Sequence, residues 1–331
     1  MSPLPLTLAC QPYDRMAALR DGSAPIRGVD LNFLPLPVEE TFYRMLRFQE
    51  FDAAELSLSS YVLTLAQENP PFVALPVFPS RAYRHSGIYV REGSPLHDPS
   101  ELPGLTVGVP EYQITAAVWI RGILQEHYGV GVSSVRYRTG GLDEPGRTEK
   151  VALDLPDEVD VRPIGNGQTL SQMLLDGEID ALYSARNPGP YNLPGHGGLR
   201  RLFDAPGQAE RAYARETGIF PIMHTLVLRR DVYERAPWVA QELYLACTRS
   251  KDAALRQISE TASLITMLPW LPEHAEESAA VLGSDWWPYG VEPNRPTLET
   301  FLGYSADQGL AARTYRPEEL FAPETLERFT I

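Results

Sequence analysis

The chain alternates short apolar runs with amphipathic segments, and that alternation predicts its elements. Leu4 to Cys10 is apolar and stops at a polar loop, Gln11 to Arg15, as a buried strand does. Val29 to Leu36 reads as a second strand. Val38 to Gln49 carries Phe42, Met45, Leu46 and Phe48 among Glu and Arg residues, which predicts a helix with an apolar stripe. Phe51 to Leu58 is a third strand, and Ser57, Ser59 and Ser60 at its end can cap a helix over Tyr61 to Gln67. Phe72 to Phe78 and Ser86 to Val90 are further strand patterns. This strand–helix alternation predicts an α/β fold with a largely parallel sheet and helices on both faces.

A second lobe is expected to start at ELPGLTVGVP. There the apolar run Thr106 to Val109 breaks at Pro110 and leads into an amphipathic helix, Gln113 to His127, closed by Gly129. Val159 to Ile164 and Ile179 to Tyr183 read as strands, with a helix from Thr169 to Leu175 stopped by Asp176 and Gly177. A Pro- and Gly-rich loop spans Asn187 to Gly198. Phe220 to Leu228 reads as a strand returning the chain to the first lobe. Pro237 to Ile258 is a long helix, and the C-terminal third is mostly helical around an aromatic loop, LGSDWWPYGVEPNR. The expected division is therefore 1–100 with 215–331 for lobe 1, including the C-terminal helices, and 101–214 for lobe 2. In such folds ligands bind at the carboxyl ends of strands, here in a cleft between the lobes.

Composition narrows the function. The 331 residues suffice for two cores of ordinary size. A formal net charge of -14 argues against non-specific nucleic-acid binding, which needs phosphate neutralisation. Lysine is confined to Lys150 and Lys251, so arginine carries the positive charge; arginine suits bidentate grip on carboxylates. Two cysteines, Cys10 and Cys247, are too few for a disulfide scaffold or a CxxC metal site and predict buried free thiols. No apolar run reaches membrane-spanning length, and MSPLPLTLACQPYD lacks the basic start and apolar stretch of a secretory signal, so the expected location is the cytoplasm. Homo-oligomerisation stays open.

Against this acidic background, Arg81, Arg84 and His85 stand together in FPSRAYRHSGIYV. If the segment is extended, Arg81 and His85 share a face, which suits capture of a small anion; a solvated hinge is the alternative. Pro110 to Thr115 fits a helix start where Tyr112, Gln113 and Thr115 reach a ligand or merely cap the helix. Glu55 interrupts an apolar strand, and a half-buried carboxylate there reads as the partner of an arginine, with acid–base work as the alternative. His224 sits among apolar strand neighbours in PIMHTLVLRR. Arg186 follows the strand ending at Tyr183, and Arg147 lies in a Gly-rich turn, TGGLDEPGR, from which it could close over a ligand. GxGxxG, GxxxxGK[ST], HExxH and GxSxG motifs are absent, and the histidines have no metal-ligand spacing, so no metal and no cofactor are expected.

Taken in order, FDAAELSLSSY, FPSRAYRHSGIYV, VGVPEYQITAAVWIRGIL, TGGLDEPGR, TLSQMLLDGEIDAL, PIMHTLVLRRDVYERAPWVA, DWWPYG and YSADQGL resemble the 4,5-dihydroxyphthalate decarboxylase family. The resemblance runs from Leu4 to Phe321. It implies the two-lobed fold of type 2 periplasmic binding proteins, with mixed sheets flanked by helices. It also implies a cofactor-independent carboxy-lyase acting on a hydroxylated aromatic acid in phthalate degradation. A non-catalytic solute-binding protein and a same-fold biosynthetic enzyme on another ring acid are the alternatives. Such a reaction needs a proton donor at the carboxyl-bearing ring carbon, an anchor for carboxylates and a partner for the phenol. On chemical grounds His85 is the first choice of donor and His224 the second, with Glu55 orienting His85 or taking a phenolic proton. Arg15, Arg81 and Arg186 are the anchor candidates, Arg147 the closing arginine, and Ser59, Ser60, Tyr112, Gln113 and Thr115 line the pocket.

Overall fold

The computed structural model describes residues 2–326, so the first residue and the last five of the span expected for lobe 1 lie outside it. Eleven strands are present among the described residues: β1 (Leu4–Cys10), β2 (Val29–Pro35), β3 (Ala53–Ser57), β4 (Phe72–Arg81), β5 (Ile88–Arg91), β6 (Thr106–Val109), β7 (Arg136–Thr139), β8 (Val161–Pro163), β9 (Ala181–Tyr183), β10 (Leu199–Arg201) and β11 (Ile222–Arg229). They form two sheets, one in each of two compact units. Among the described residues the first unit holds 2–81, 217–299 and 315–326, and the second holds 82–216 and 300–314.

These boundaries shift two expectations. The first crossing falls after Arg81 rather than at 100, because β5 is paired with β9 and β10. The C-terminal region also does not stay with the first unit throughout. Residues 300–314 join the second, where Phe301 and Tyr304 pack on Trp119 and Gln308 bonds to Arg121.

In the first unit the strand order is β2-β1-β3-β11-β4. β1 runs parallel to β2 and β3, but β11 is antiparallel to both its neighbours, so the sheet is mixed rather than largely parallel. The reason is the late return of the chain, which inserts β11 between strands laid down long before. All five residues of β3 are buried, including Glu55. The helix Val38–Phe48 starts with Glu39 and Glu40 and ends with Arg47, each complementing the helix dipole. Phe42 and Met45 are buried, whereas Phe48 is 61% exposed. At about 100° per residue, position 48 is turned well away from position 42.

β4 carries two prolines, Pro76 and Pro79, and its pairing with β11 is irregular on both sides of His224. Proline cannot donate to a ladder, so the strand bulges. The carbonyls left over are taken up by groups from elsewhere in the unit. Pro76 O accepts from Gly290 N at 2.8 Å, Phe78 O from Trp287 Nε1 at 2.8 Å, and Pro79 O from Arg15 Nε at 2.5 Å.

In the second unit the order is β10-β5-β9-β6-β7-β8. β7 and β10 are strands that the apolar pattern missed; they are short and Arg-rich. The helix Leu170–Asp176 packs Leu170, Met173 and Leu174 with Ile179, Leu182 and Tyr89. Gly108 of β6 permits that packing, since a Cβ there would stand 2.6 Å from Ile179. The helix Thr115–Tyr128 ends at Gly129 with φ 69°, a left-handed cap that glycine adopts without strain.

Candidate active site

Glu55 organises the polar centre of the first unit. It is fully buried on β3, and His224 of β11 lies opposite Ser57, two residues further along β3. Antiparallel pairing puts Glu55 and His224 on one face as diagonal neighbours, within reach of each other's side chains. His224 Nδ1–H donates to Glu55 Oε1 at 2.6 Å. Tyr13 donates its hydroxyl to the same oxygen at 2.7 Å, and the Gln11 N–H and the Cys10 thiol donate to Oε2 at 3.1 and 3.5 Å. These three donors come from the carboxyl end of β1 and the loop after it.

The electrostatics follow from that arrangement. Burial pushes the Glu55 carboxyl upward, but the hydrogen bond and charge of His224, with Tyr13 and the Gln11 N–H, outweigh it and hold the pKa below the usual carboxylate value. Burial, then the Glu55 charge, raises the Tyr13 phenol and the Cys10 thiol. The charge therefore rests on Glu55, while Tyr13 and Cys10 stay neutral donors. Glu55 is thus paired with a histidine, not with the arginine its sequence context predicted. Of the two ring nitrogens it is Nδ1 that Glu55 engages. Phe42 closes one side of the imidazole, edge-on at 4.8 Å between centroids.

Arg15 stands beside this network. Its guanidinium lies between the rings of Tyr13 and Trp287, at 4.0 and 4.3 Å from their centroids. Its Nε is spent on Pro79 O and its Nη1 on Asp14 at 3.0 Å. Arg81 is a clamp instead: it donates to Phe220 O, Pro288 O and Asn294 Oδ1, tying β4 to the aromatic loop. Ser59 and Ser60 are buried in the first turn of the helix Leu58–Thr64, where Ser57 Oγ accepts the Ser60 N–H at 3.4 Å.

The other candidates belong to the second unit. β4 ends at Arg81 and His85 opens a separate turn, so these two do not share a strand face. Arg84 donates to Ala185 O at 3.3 Å. His85 is 3% exposed and ringed by Tyr128, Phe203 and Tyr213. Burial, with the charge of His127, lowers its pKa to about 4. Tyr112 is also buried; its hydroxyl donates to Gln308 O at 3.2 Å and its ring lies under Arg121. Only its backbone N–H and that of Gln113 mark the helix start, and both point to Glu149. Thr115 is the buried first residue of that helix. Arg147 is bound to Glu111 at 2.7 Å, together with Lys150. Arg186 is exposed on the loop after β9.

Tyr13, Trp287 and Glu149 were missed in the sequence. Tyr13 had a signal, its place in the polar loop directly after β1, and Trp287 had another in the aromatic loop. Among the described residues no group of three or more His, Cys, Asp or Glu is placed to hold a metal ion, and no helix is long and apolar enough to cross a membrane.

The motifs of the sequence thus occupy defined structural roles, and comparison with known proteins gives them a family. No family model matches the chain. It is 40% identical over 331 residues, the whole length of both proteins, to the 4,5-dihydroxyphthalate decarboxylase of Comamonas testosteroni. The chain belongs to the 4,5-dihydroxyphthalate decarboxylase family. A second member, from Pseudomonas putida, is 41% identical over 215 residues, covering 65% of this chain and 83% of that protein. Membership makes this chain a carboxy-lyase. Its fold is that of periplasmic binding proteins. The aliphatic sulphonate binding protein SsuA of Escherichia coli matches with a TM-score of 0.53 at 13% identity, over 97% of this chain and 98% of that one. The sulfonate-binding SsuA of Methylobacillus flagellatus matches with 0.55 at 12% identity, over 98% and 93%. Within the decarboxylase family fold, the resembling segments knit together. Arg81 of FPSR holds the DWWPYG loop, and Gln308 of YSADQGL accepts from Arg121 at 2.8 Å and donates to Val118 O at 2.9 Å.

Proposed function

We propose that this decarboxylase removes one carboxylate from a hydroxylated aromatic acid of the 4,5-dihydroxyphthalate type, and that His224 delivers the proton that replaces it. The observation that carries this reading is the 2.6 Å bond between His224 and a fully buried, ionised Glu55. A carboxylate on Nδ1 fixes the orientation of the ring, as a positioned proton-transfer group requires.

The hydroxyl para to the departing carboxyl group lends electron density as its proton is withdrawn. The ring carbon takes the proton from Nε2, the bond to the carboxylate breaks, and CO2 leaves. The electron pair of that bond restores the aromatic ring. For 4,5-dihydroxyphthalate the product is 3,4-dihydroxybenzoate. No electron is gained or lost overall, so side chains alone suffice in this reading. Glu55 is a positioning residue, and Tyr13 holds Glu55 in turn. Arg15, stacked between two aromatic rings, offers its outer nitrogen to a substrate carboxylate. His85 does not fit the donor role, because a ring held neutral down to about pH 4 has no proton to give at neutral pH. The same reading has the reaction in the cytoplasm, where Cys10 and Cys247 as buried free thiols are at home.

The test is CO2 release from a panel of hydroxybenzoates and hydroxyphthalates, with chelator present and in heavy water. The expected product carries one solvent deuterium at the vacated ring carbon. An acid that binds and is recovered unchanged, with no label across the panel, makes the chain a binding protein instead.

A further inference from the structure

The aromatic loop of residues 285–290 is clamped at several points of the first unit. Lys251, buried in the helix Trp238–Ile258, donates to both carboxylate oxygens of Asp285 at 2.9 Å, and Asp285 accepts the Trp287 N–H at 3.3 Å. Pro288 O accepts from Arg81, and Asn294 Nδ2 donates to Pro288 O at 3.0 Å and to Gly290 O at 2.7 Å. Connecting loops are normally the mobile part of a fold. Here the clamping fixes one ring against a charged group. The Trp287 ring centroid lies 4.3 Å from the Arg15 guanidinium, and Phe220 meets the indole edge-on at 5.4 Å. Consecutive carbonyls of β4 hold both partners of that stack. Phe78 O accepts from Trp287 Nε1 at 2.8 Å, and Pro79 O from Arg15 Nε at 2.5 Å. Tyr13 lies 4.0 Å from the same guanidinium. With Nε on Pro79 O and Nη1 on Asp14, Nη2 is the guanidinium nitrogen with no acceptor among the described residues.

We propose that Trp287 is the positioning residue of the carboxylate anchor: it holds Arg15 against Tyr13 so that the guanidinium meets a substrate carboxylate by its Nη2 edge. The inference rests on the reading of Arg15 as the anchor of a decarboxylase substrate. A flexible arginine loses rotamer freedom when it takes a ligand, and one already stacked and hydrogen-bonded has lost it beforehand. The stack also dictates how the ligand arrives. Rings on the guanidinium leave its edge for the ligand, and an edge suits a planar carboxylate lying in the guanidinium plane. The DWWPYG motif thereby has a task in the reaction. Asp285 and Pro288 fix the loop, and Trp287 passes that rigidity to Arg15.

The experiment is calorimetric titration of the full chain with phthalate, which carries the two carboxylates but no hydroxyl to react through, and with catechol, which carries the hydroxyls alone. Wild type, Trp287→Leu, Trp287→Phe, Arg15→Ala and the double variant Arg15→Ala/Trp287→Leu are compared. Trp287→Leu is expected to weaken phthalate by about two- to thirtyfold, the worth of a cation–π contact. Trp287→Phe keeps an aromatic face and should recover part of that loss. In the Arg15→Ala background Trp287→Leu should cost nothing further, because Trp287 acts through the guanidinium. Catechol affinity should not move. If Trp287→Leu does not fold, Trp287→Phe with and without Arg15→Ala makes the same comparison. Phthalate affinity unchanged in the folded Trp287 variants overturns the proposal. So does an equal cost with and without Arg15, equal weakening of catechol, or wild type that does not bind phthalate. Because no turnover is involved, this result is independent of the CO2 assay on wild type, which decides the decarboxylase reading.

Discussion

Two histidines, one in each unit, are both set among aromatic rings, and only one has a carboxylate. His224 has Phe42 on its edge and a bond to Glu55. His85 has Tyr128, Phe203 and Tyr213 around it, and burial drives its proton off until about pH 4. Burial among rings lowers the pKa of His85, whereas His224 has a carboxylate to orient its ring. The difference comes from the strands. β3 delivers Glu55 to the face that His224 of β11 shares, whereas in the turn bearing His85 the nearby carboxylate, Glu210, is taken by Ser86 and the imidazole meets rings.

The comparison can be broken at Glu55 first. Glu55→Gln keeps the shape but removes the charge and allows the wrong imidazole tautomer. Turnover should fall on the order of a thousandfold, with KM little changed, as in other histidine–carboxylate pairs. A rise in KM with turnover unchanged would place Glu55 in substrate binding instead.

His85 is the next lever, through stability rather than catalysis. Its folded pKa of about 4 lies below the unfolded value near 6.5, so the unfolded chain binds more protons between these limits. The stability tied to neutral His85 is complete above the unfolded value and is lost as pH falls toward 4. The loss is roughly 3 kcal/mol at about 1.4 kcal/mol per pH unit. Denaturant melts should therefore show wild type losing stability relative to His85→Phe as pH drops through this window. Parallel curves would mean the ring is not held neutral.

Arg15→Ala should raise KM for an aromatic dicarboxylate, by about 1.5–3 kcal/mol in binding terms, while leaving turnover largely intact. The smallest effect is expected from Tyr13→Phe. One of four donors to Glu55 is lost, worth about 1 kcal/mol, read as a modest drop in turnover. Recovery of the full rate at higher pH would identify that hydroxyl as orienting rather than reacting.

Much of the fold was legible. β1 matches its apolar run residue for residue, and Ser57 caps the helix after β3 as its position suggests. The order of strands was not legible. No local pattern says that β11 enters between β3 and β4, nor that it runs antiparallel there. The site divides the same way. A carboxylate inside an apolar strand announced Glu55, but its partner lies 169 residues further along. Only the pairing of β11 with β3 brings the two together. The Arg81 and His85 spacing misled for a local reason, since β4 stops at Arg81 and the chain passes to the other unit.

The most direct measurement is turnover of 4,5-dihydroxyphthalate by His224→Gln and by His85→Gln, assayed together against wild type. His224→Gln is expected to lose about 100- to 10,000-fold, the worth of a general acid, and His85→Gln to keep its rate near neutral pH. The reverse ranking, with His85→Gln inactive though folded and His224→Gln active, would contradict the account.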